Sequence, residues 1–184
     1  LLKNWKQEVK INSQPPMGHV EIYDLDEKVQ INWNQTYAAE GFSQVNSETN
    51  SLLLEEVFQY FSNKDGSILD LFGGKGNLSQ QFRTKKKTCV DLYSTEEKNE
   101  NFFHLNLFKD DAIAEFTNNI KNSYDILFVD PPRSGFKGLD QWVNHYRPNY
   151  FAYVSCHPAT MIRDLQSLTQ EYQATKIFLI DLFP

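Results

Sequence analysis

Two side chains capable of chemistry stand where apolar runs end. Cys156 closes the run YFAYVSC (150–156), and Asp130 closes YDILFVD (124–130) and is followed by Pro-Pro-Arg133-Ser-Gly. Pro158 suits the first turn of a helix, and a thiol near a helix N-terminus has its thiolate stabilised by the helix dipole. A thiolate can attack carbon. We therefore predict a nucleophilic cysteine beside an aspartate that two prolines hold with little freedom.

Cysteine also has a structural interpretation, because a free thiol is among the most buried side chains and a lone cysteine is structural more often than catalytic. The strand-end position of Cys156, the proline after it and the facing Asp130 favour the nucleophile. Cys89 lies inside an apolar run, and we predict that it is a core residue. The two cysteines match no zinc spacing, and we expect no metal.

The elements that must position these residues are six apolar runs of strand length. They are SILDLF (67–72), TCVDLY (88–93), FFHLNL (102–107), YDILFVD (124–130), YFAYVSC (150–156) and KIFLIDLF (176–183). Helix-compatible segments lie between most of them, namely NLSQQFRT, AIAEFTNNIKN, LDQWVNHY and ATMIRDLQSLTQEY, and SETNSLLLEEVFQYF precedes the first run as a further helix. Runs that are apolar on both faces and interleaved with helices predict a doubly wound α/β fold with a largely parallel sheet.

The first 36 residues follow a different pattern, with two short alternating runs, HVEIYDL and KVQINW, that predict a β-hairpin. We predict an N-terminal appendage over 1–36 and a catalytic domain over 37–184. A chain of 184 residues with 40% hydrophobic content suits one well-packed domain, and its net charge of −6 argues against holding nucleic acid by bulk charge alone. No run approaches the ~18 apolar residues of a membrane helix, so we expect a cytoplasmic protein without a membrane partner.

A glycine-rich segment follows the first strand of this domain. It reads Asp70-Leu-Phe-Gly-Gly74-Lys-Gly-Asn77, a helix is predicted from about Leu78, and the next strand ends in Asp91. Ligands of such sheets bind beyond the carboxyl ends of the strands, where glycines let the backbone approach and an acidic residue accepts from ribose hydroxyls. An acidic Asp70 would repel a pyrophosphate but suits S-adenosylmethionine, which carries an ammonium and a sulfonium. A loop-capping Asp70 with a solvated Asp91 is the structural alternative.

Four motifs together resemble the RNA 5-methyluridine methyltransferases, the family that methylates uracil in transfer and ribosomal RNA. They are FSQVN (42–46), DLFGGKGNLS (70–79), DPPRSG (130–135) and SCHPATMIRDL (155–165), and they occur in family order. His157 stands where Asn is usual and Gly73 where Cys is common. Neither departure falls on a residue of the expected chemistry.

The resemblance implies a set of functional positions. Gln44, Phe72, Asn77, Asp91 and Asp130 match the family's S-adenosylmethionine contacts, Asn106 matches an adenine-side contact, and Cys156 matches the nucleophile that adds to uracil C6. Asp70 and Gly74 complete the predicted cofactor site, and Asp130 or Arg133 would stabilise or order the pyrimidine edge.

The chain also departs from the family pattern at its end. Family members continue past a Phe-Pro pair into a Thr-x-His-x-Glu segment, whose Glu is the general base, and then into a last strand. This sequence stops at Phe183-Pro184, so we expect a C-terminally incomplete catalytic domain that lacks the last strand. The run KIFLIDLF would then lack a partner for one edge. A hairpin near 20–33 filling the empty place is the alternative.

The sequence thus predicts S-adenosylmethionine-dependent methylation of uracil C5 in tRNA or rRNA. A cofactor- or RNA-binding module of the same fold that has lost turnover is the alternative. A methyltransferase for cytosine or protein is a third interpretation, but the cytosine enzymes generally carry a Pro-Cys pair in the fourth-strand motif, which DPPRSG lacks.

Overall fold

A computed structural model describes residues 8–14, 17–23, 28–33, 47–92, 101–168 and 171–180. The chain divides into two compact units, Leu1–Ser43 and Gln44–Pro184. The sequence places the boundary after residue 36, and residues 34–46 lie outside the described ranges.

The first unit contains an antiparallel sheet in the order β1-β2-β3. Its strands are β1 (Glu8–Gln14), β2 (Met17–Tyr23) and β3 (Lys28–Trp33). The described part of the first alternating run, residues 19–23, lies in β2, and the second run forms β3; the two strands pair antiparallel. No sequence pattern predicted β1, which pairs with β2 along its whole length.

The second unit is built on a five-stranded parallel sheet in the order β6-β5-β4-β7-β8. Its elements are α1 (Ser47–Phe61), β4 (Ile68–Leu71), β5 (Lys87–Asp91), β6 (Phe102–His104), α2 (Ala112–Asn119), β7 (Ile126–Val129), α3 (Leu139–Tyr146), β8 (Tyr150–Tyr153) and α4 (Pro158–Gln166). This arrangement confirms the predicted α/β class. Within the described ranges, no helix is long and apolar enough to cross a bilayer.

Alternating side chains of the central strands enter two separate hydrophobic cores. Leu69 and Leu71 of β4 pack with α2 and α3, through residues such as Phe116 and Trp142. The other core contains Ile68 of β4, two residues of β7 and the apolar side of α1, together with Leu78 and Phe82. Helices therefore cover both faces of the sheet, as its uniformly buried central strands require.

The helix predicted from Leu78 does not form. Residues 74–81 make consecutive turns instead, with hydrogen bonds such as Gln80 N–H to the Gly76 carbonyl. Gly74 and Gly76 both have positive φ angles, so the backbone that leads into Leu78 does not have right-handed helical geometry. Leu78 is still buried, so the segment packs on the sheet without being helical.

The strand predicted at KIFLIDLF is also wrong over its described part. Residues 172–180 have no regular secondary structure, and Ile177 and Leu179 are 83% and 98% exposed. Lys176 pairs with Glu56 of α1 at 3.4 Å. The physical reason is the absence, within the described ranges, of a strand beside this segment, because a strand needs ladder partners for its backbone groups. Residues 181–184 lie outside those ranges.

Candidate active site

Three aspartates meet at the carboxyl edge of the sheet, each from a different strand. Asp70 lies in β4, Asp91 ends β5, and Asp130 directly follows β7. The three strands are consecutive in the sheet, with β4 in the middle. The structure thus brings together the acidic residues that the sequence predicted for the cofactor site.

Asp70 is buried to 0% exposure, and neither of its carboxylate oxygens has a hydrogen-bond partner among the described residues. Burial raises its pKa to about 7, and repulsion from Asp130 and Asp91 adds to the shift. Ser79 lies nearby and acts to lower the pKa of Asp70, but the two side chains do not meet the geometry of a hydrogen bond. A buried carboxyl group without partners is destabilising in the free protein, which is typical of a site prepared for a ligand.

Asp130 is partly buried, and its backbone N–H donates to the Leu71 carbonyl at 3.2 Å. Burial raises its pKa to about 6, with a further contribution from the charge of Asp91. The following Pro131 is buried and has no amide hydrogen, so the exit from β7 is stiff. The backbone at Asp130 is therefore fixed at the sheet edge.

Asp91 holds the glycine-rich loop. Its Oδ2 accepts a hydrogen bond from the Gly74 backbone N–H at 2.8 Å. Phe72, at the start of the loop, has a φ of +59°, a left-handed conformation that is unfavourable for an aromatic residue. A Cβ atom at Gly73 would lie 2.5 Å from the Cys89 sulfur, so the loop backbone passes close over β5.

Cys89 itself is a core residue, as predicted. Its side chain is buried, and its sulfur lies 3.6 Å from the Gly74 carbonyl oxygen. Burial raises the pKa of its thiol, and the charges of Asp70 and Asp91 raise it further. A thiol in this environment stays protonated and unreactive.

Asn77 is fixed by a partner that sequence reasoning missed. Its side-chain amide exchanges two hydrogen bonds, of 3.0 and 3.1 Å, with that of Asn50 in α1. This pair connects the end of the glycine-rich loop to the helix before β4. Asn50 belongs to none of the quoted motifs, so no sequence signal identified it.

An aromatic cluster lines the other side of the loop. Phe72 packs edge-on against Phe136, with 4.9 Å between the ring centroids. The centroid of the Phe108 ring, a residue that is 56% exposed, lies 5.3 Å from that of Phe72. The nearby Asn106 accepts the Phe108 backbone N–H on its Oδ1 at 3.0 Å, so this side chain shapes the turn after β6. Gln44, the remaining predicted cofactor residue, lies outside the described ranges.

Cys156 is exposed and lies three residues beyond the end of β8. The Val154 N–H donates to the Val129 carbonyl at 2.9 Å, which extends the β7–β8 pairing towards it. The next residue, His157, caps α4, because its Nδ1 accepts the Thr160 N–H at 3.4 Å. The histidine thus performs the capping task that an asparagine side chain performs well, which accounts for its presence in the motif.

Arg133 is exposed in the loop after β7. Its backbone carbonyl accepts a hydrogen bond from the Thr160 hydroxyl at 3.3 Å, in the first turn of α4. We call residues 131–138 the Arg133 loop. The hydrogen bond between Thr160 and Arg133 thus links this loop to the helix that begins just after Cys156.

The chain matches a family model described as tRNA (uracil-5-)-methyltransferase over residues 117–184. It is also 29% identical over 171 residues to the 23S rRNA (uracil(1939)-C(5))-methyltransferase RlmD of Vibrio vulnificus, covering 84% of this chain and 38% of that protein. The protein of the same description from Aliivibrio salmonicida is 32% identical, with 91% of this chain and 40% of the relative covered. The chain is thus similar to RNA uracil-5-methyltransferases over most of its length. This confirms the resemblance that the four motifs indicated.

The coverage differs among these methyltransferase relatives. The chain spans about two fifths of the Vibrio and Aliivibrio proteins, but 80% of a Photobacterium angustum protein of the same description, at 28% identity over 184 residues. The motif DPPRSG, with Asp130, and the motif SCHPATMIRDL, with Cys156, both fall inside the segment that the family model matches.

Proposed function

We propose that this protein methylates C5 of uracil in RNA through a covalent bond between Cys156 and C6 of the base. The observation that carries the proposal is the position of Cys156, an exposed thiol at the carboxyl end of β8, next to the strand that ends in Asp130. The other cysteine is buried, so Cys156 is the accessible one of the two. Similarity to RNA uracil-5-methyltransferases supports the same reaction.

The residues at the sheet edge fit S-adenosylmethionine. Asp70 offers a buried carboxylate that lacks a partner among the described residues, and Asp91 and Asp130 add negative charge beside it. A ligand with an ammonium and a sulfonium would supply the missing positive charge, and the Phe72 and Phe108 rings offer apolar surface to its adenine. When bound, this cofactor supplies the methyl group that uracil C5 accepts.

The protein's part in the reaction follows from the chemistry of uracil. C5 is a weak nucleophile until the Cys156 thiolate adds to C6, because the electron pair of the C5–C6 double bond then becomes an enolate. After C5 has gained the methyl group, a base removes the C5 proton, the double bond forms again and the sulfur–C6 bond breaks. Because Cys156 is exposed, it is accessible to a uracil ring that has left its stack in the RNA.

We propose ribosomal RNA as the substrate, because the relatives described above are named for a uridine of 23S rRNA. Transfer RNA, which the description of the family model names, is the competing substrate of the same class. The test is an RNA transcript of the 23S rRNA region around that uridine, with 5-fluorouridine in place of uridine. Fluorine cannot leave C5 as a proton, so an adduct formed through C6 is trapped.

The protein, the transcript and S-adenosylmethionine should give a complex that survives denaturing electrophoresis. Cys156→Ala should abolish this complex, whereas Cys89→Ala, which alters the buried thiol, should still form it. A fluorinated tRNA transcript tested in parallel decides between the two RNAs. Cofactor binding without any trapped complex would overturn the proposal and indicate a binding module.

A further inference from the structure

A buried carboxylate outside the cofactor site ties the two chemical loops together. Asp164 lies in α4 with 5% exposure, and its side chain is completely buried. Its Oδ2 accepts the Phe136 backbone N–H at 2.5 Å and the Tyr153 hydroxyl at 2.6 Å. A single side chain in α4 thus binds both the last residue of β8 and Phe136 of the Arg133 loop.

Arg163 extends this connection. Its guanidinium donates to Asp164 Oδ1 from Nη2 at 2.6 Å and from Nε at 2.9 Å. The same Nη2 donates to the Ser134 carbonyl at 2.9 Å. We call these contacts of Asp164, Arg163, Tyr153, Ser134 and Phe136 the Asp164 network.

The loop after β7 passes very close to the Asp164–Arg163 pair at Gly135. Gly135 has a φ of +74°, and a Cβ atom there would collide with the Asp164 carboxylate and with the Arg163 guanidinium, 2.6 Å away. The loop backbone therefore lies directly against the charged pair. A left-handed glycine in this position permits the close approach.

The electrostatics show that the network requires an ionised Asp164. Burial alone would raise the pKa of Asp164, but hydrogen bonds from Tyr153, the Phe136 amide and Arg163 outweigh it and hold the pKa below its ordinary value. Burial raises the pKa of the Tyr153 hydroxyl and the hydrogen bond to Asp164 raises it further, so this hydroxyl stays a donor. All the donors converge on a fixed negative charge, and such charge-assisted bonds are the strong ones.

We propose that Asp164, supported by Arg163, is a positioning residue that fixes the Arg133 loop against the turn carrying Cys156. The inference rests on the proposed function, because the two parts must meet the same pyrimidine. Asp164 touches neither the Arg133 side chain nor Cys156 in any described contact, so it acts through the backbone of residues 134–136 and through the start of α4. The chemistry needs this connection because a displacement of about 1 Å in a reacting group can slow a reaction about 100-fold.

The test compares Asp164→Asn with Tyr153→Phe, which removes one donor and keeps the carboxylate. The matched control is Asp125→Asn, since Asp125 is also a carboxylate that accepts hydrogen bonds beside a left-handed glycine, but it precedes β7 at the opposite edge of the sheet. Two readouts are used: amide hydrogen exchange of residues 131–138 in the protein alone, and the rate of the fluorouridine adduct at saturating RNA and cofactor.

Exchange in residues 131–138 should speed up in Asp164→Asn and, less strongly, in Tyr153→Phe, and stay unchanged in Asp125→Asn. The saturated adduct rate should fall about ten-fold or more in Asp164→Asn. It should stay within about two-fold in Asp125→Asn, with the half-saturating RNA concentration little changed in either. If Asp164 served only overall stability, Asp164→Asn would instead change the saturated adduct rate no more than Asp125→Asn does.

Unchanged exchange in both network variants would overturn the inference, and so would an unchanged adduct rate despite faster exchange. If Asp164→Asn fails to fold, Tyr153→Phe decides by the same two criteria. A parent protein that forms no adduct would refute the proposed function, while the exchange arm would still show whether Asp164 holds the loop.

Discussion

Two aspartates at opposite edges of the parallel sheet, Asp125 and Asp70, lie in opposite environments. At the amino edge, Asp125 accepts hydrogen bonds from the Ser67 backbone N–H at 2.9 Å and from its hydroxyl at 3.2 Å, so its charge is partnered. At the carboxyl edge, Asp70 is buried, lacks a hydrogen-bond partner among the described residues, and has a pKa of about 7. The amino edge therefore uses a carboxylate for stability. At the carboxyl edge, the buried Asp70 lowers the stability of the free protein but leaves a carboxylate that can bind a cation.

Asp70→Asn should produce the largest effect. The pKa of Asp70 is raised, so the folded state holds its proton while the unfolded state has lost it, and stability falls as the pH rises from about 4 to about 7. Removing the charge should stabilise the free protein by roughly 2–4 kcal/mol at pH 8. It should also weaken S-adenosylmethionine binding about ten-fold or more. Thermal unfolding and calorimetric titration measure the two changes, and a destabilised Asp70→Asn would break the contrast between the edges.

Cofactor affinity should depend on pH between about 5.5 and 8, because Asp130 and Asp70, with pKa values of about 6 and about 7, must lose their protons to attract a cation. Binding should strengthen as the pH rises, by up to about ten-fold per unit for each proton released. Calorimetric titrations in two buffers of different ionisation enthalpy would detect the released protons. A flat profile would mean that these carboxyl groups do not face the bound cofactor.

Two glycine variants sharpen the contrast at the level of the backbone. Gly66→Ala and Gly135→Ala each place a Cβ at a positive φ and against an aspartate, Asp125 and Asp164 respectively. Both should lose about 2 kcal/mol or more of unfolding free energy. Only Gly135→Ala should also slow the adduct with Cys156, measured on the folded fraction. Equal loss of activity in both variants would show that the edges are not functionally distinct.

Asp125→Asn should give the smallest effect. It weakens the hydrogen bonds from Ser67 and should destabilise the protein by about 1 kcal/mol, as seen in chemical unfolding. The dissociation constant for S-adenosylmethionine should stay within about two-fold of the parent value. A larger change in affinity would indicate that the amino edge contributes to the cofactor site.

The sequence predicted the elements whose signal is local. Apolar runs located all five parallel strands, and helical spacing located α1, since each pattern depends on neighbours in the chain. The strand-end positions of Asp70, Asp91 and Asp130 followed from the same runs. Cys89 was placed correctly in the core because it lies within one of them.

The sequence failed where contacts between distant residues decide the structure. Asn77 pairs with Asn50, 27 positions away, and Asp164 accepts from Phe136, 28 positions away. Neither distance leaves a periodic signal. The apolar composition of 176–180 predicted a strand, but a strand forms only with a neighbour. The pattern from Leu78 predicted a helix where the structure has consecutive turns.

The most direct test of the account is the mass of the peptide that contains Cys156. The protein is incubated with the fluorinated 23S rRNA transcript and S-adenosylmethionine, then digested with ribonuclease and protease. We predict that the peptide with Cys156 gains the mass of one methylated 5-fluorouridine nucleotide. The peptide with Cys89 should gain nothing. An unmodified Cys156 peptide, from protein that binds both cofactor and RNA, would contradict the account.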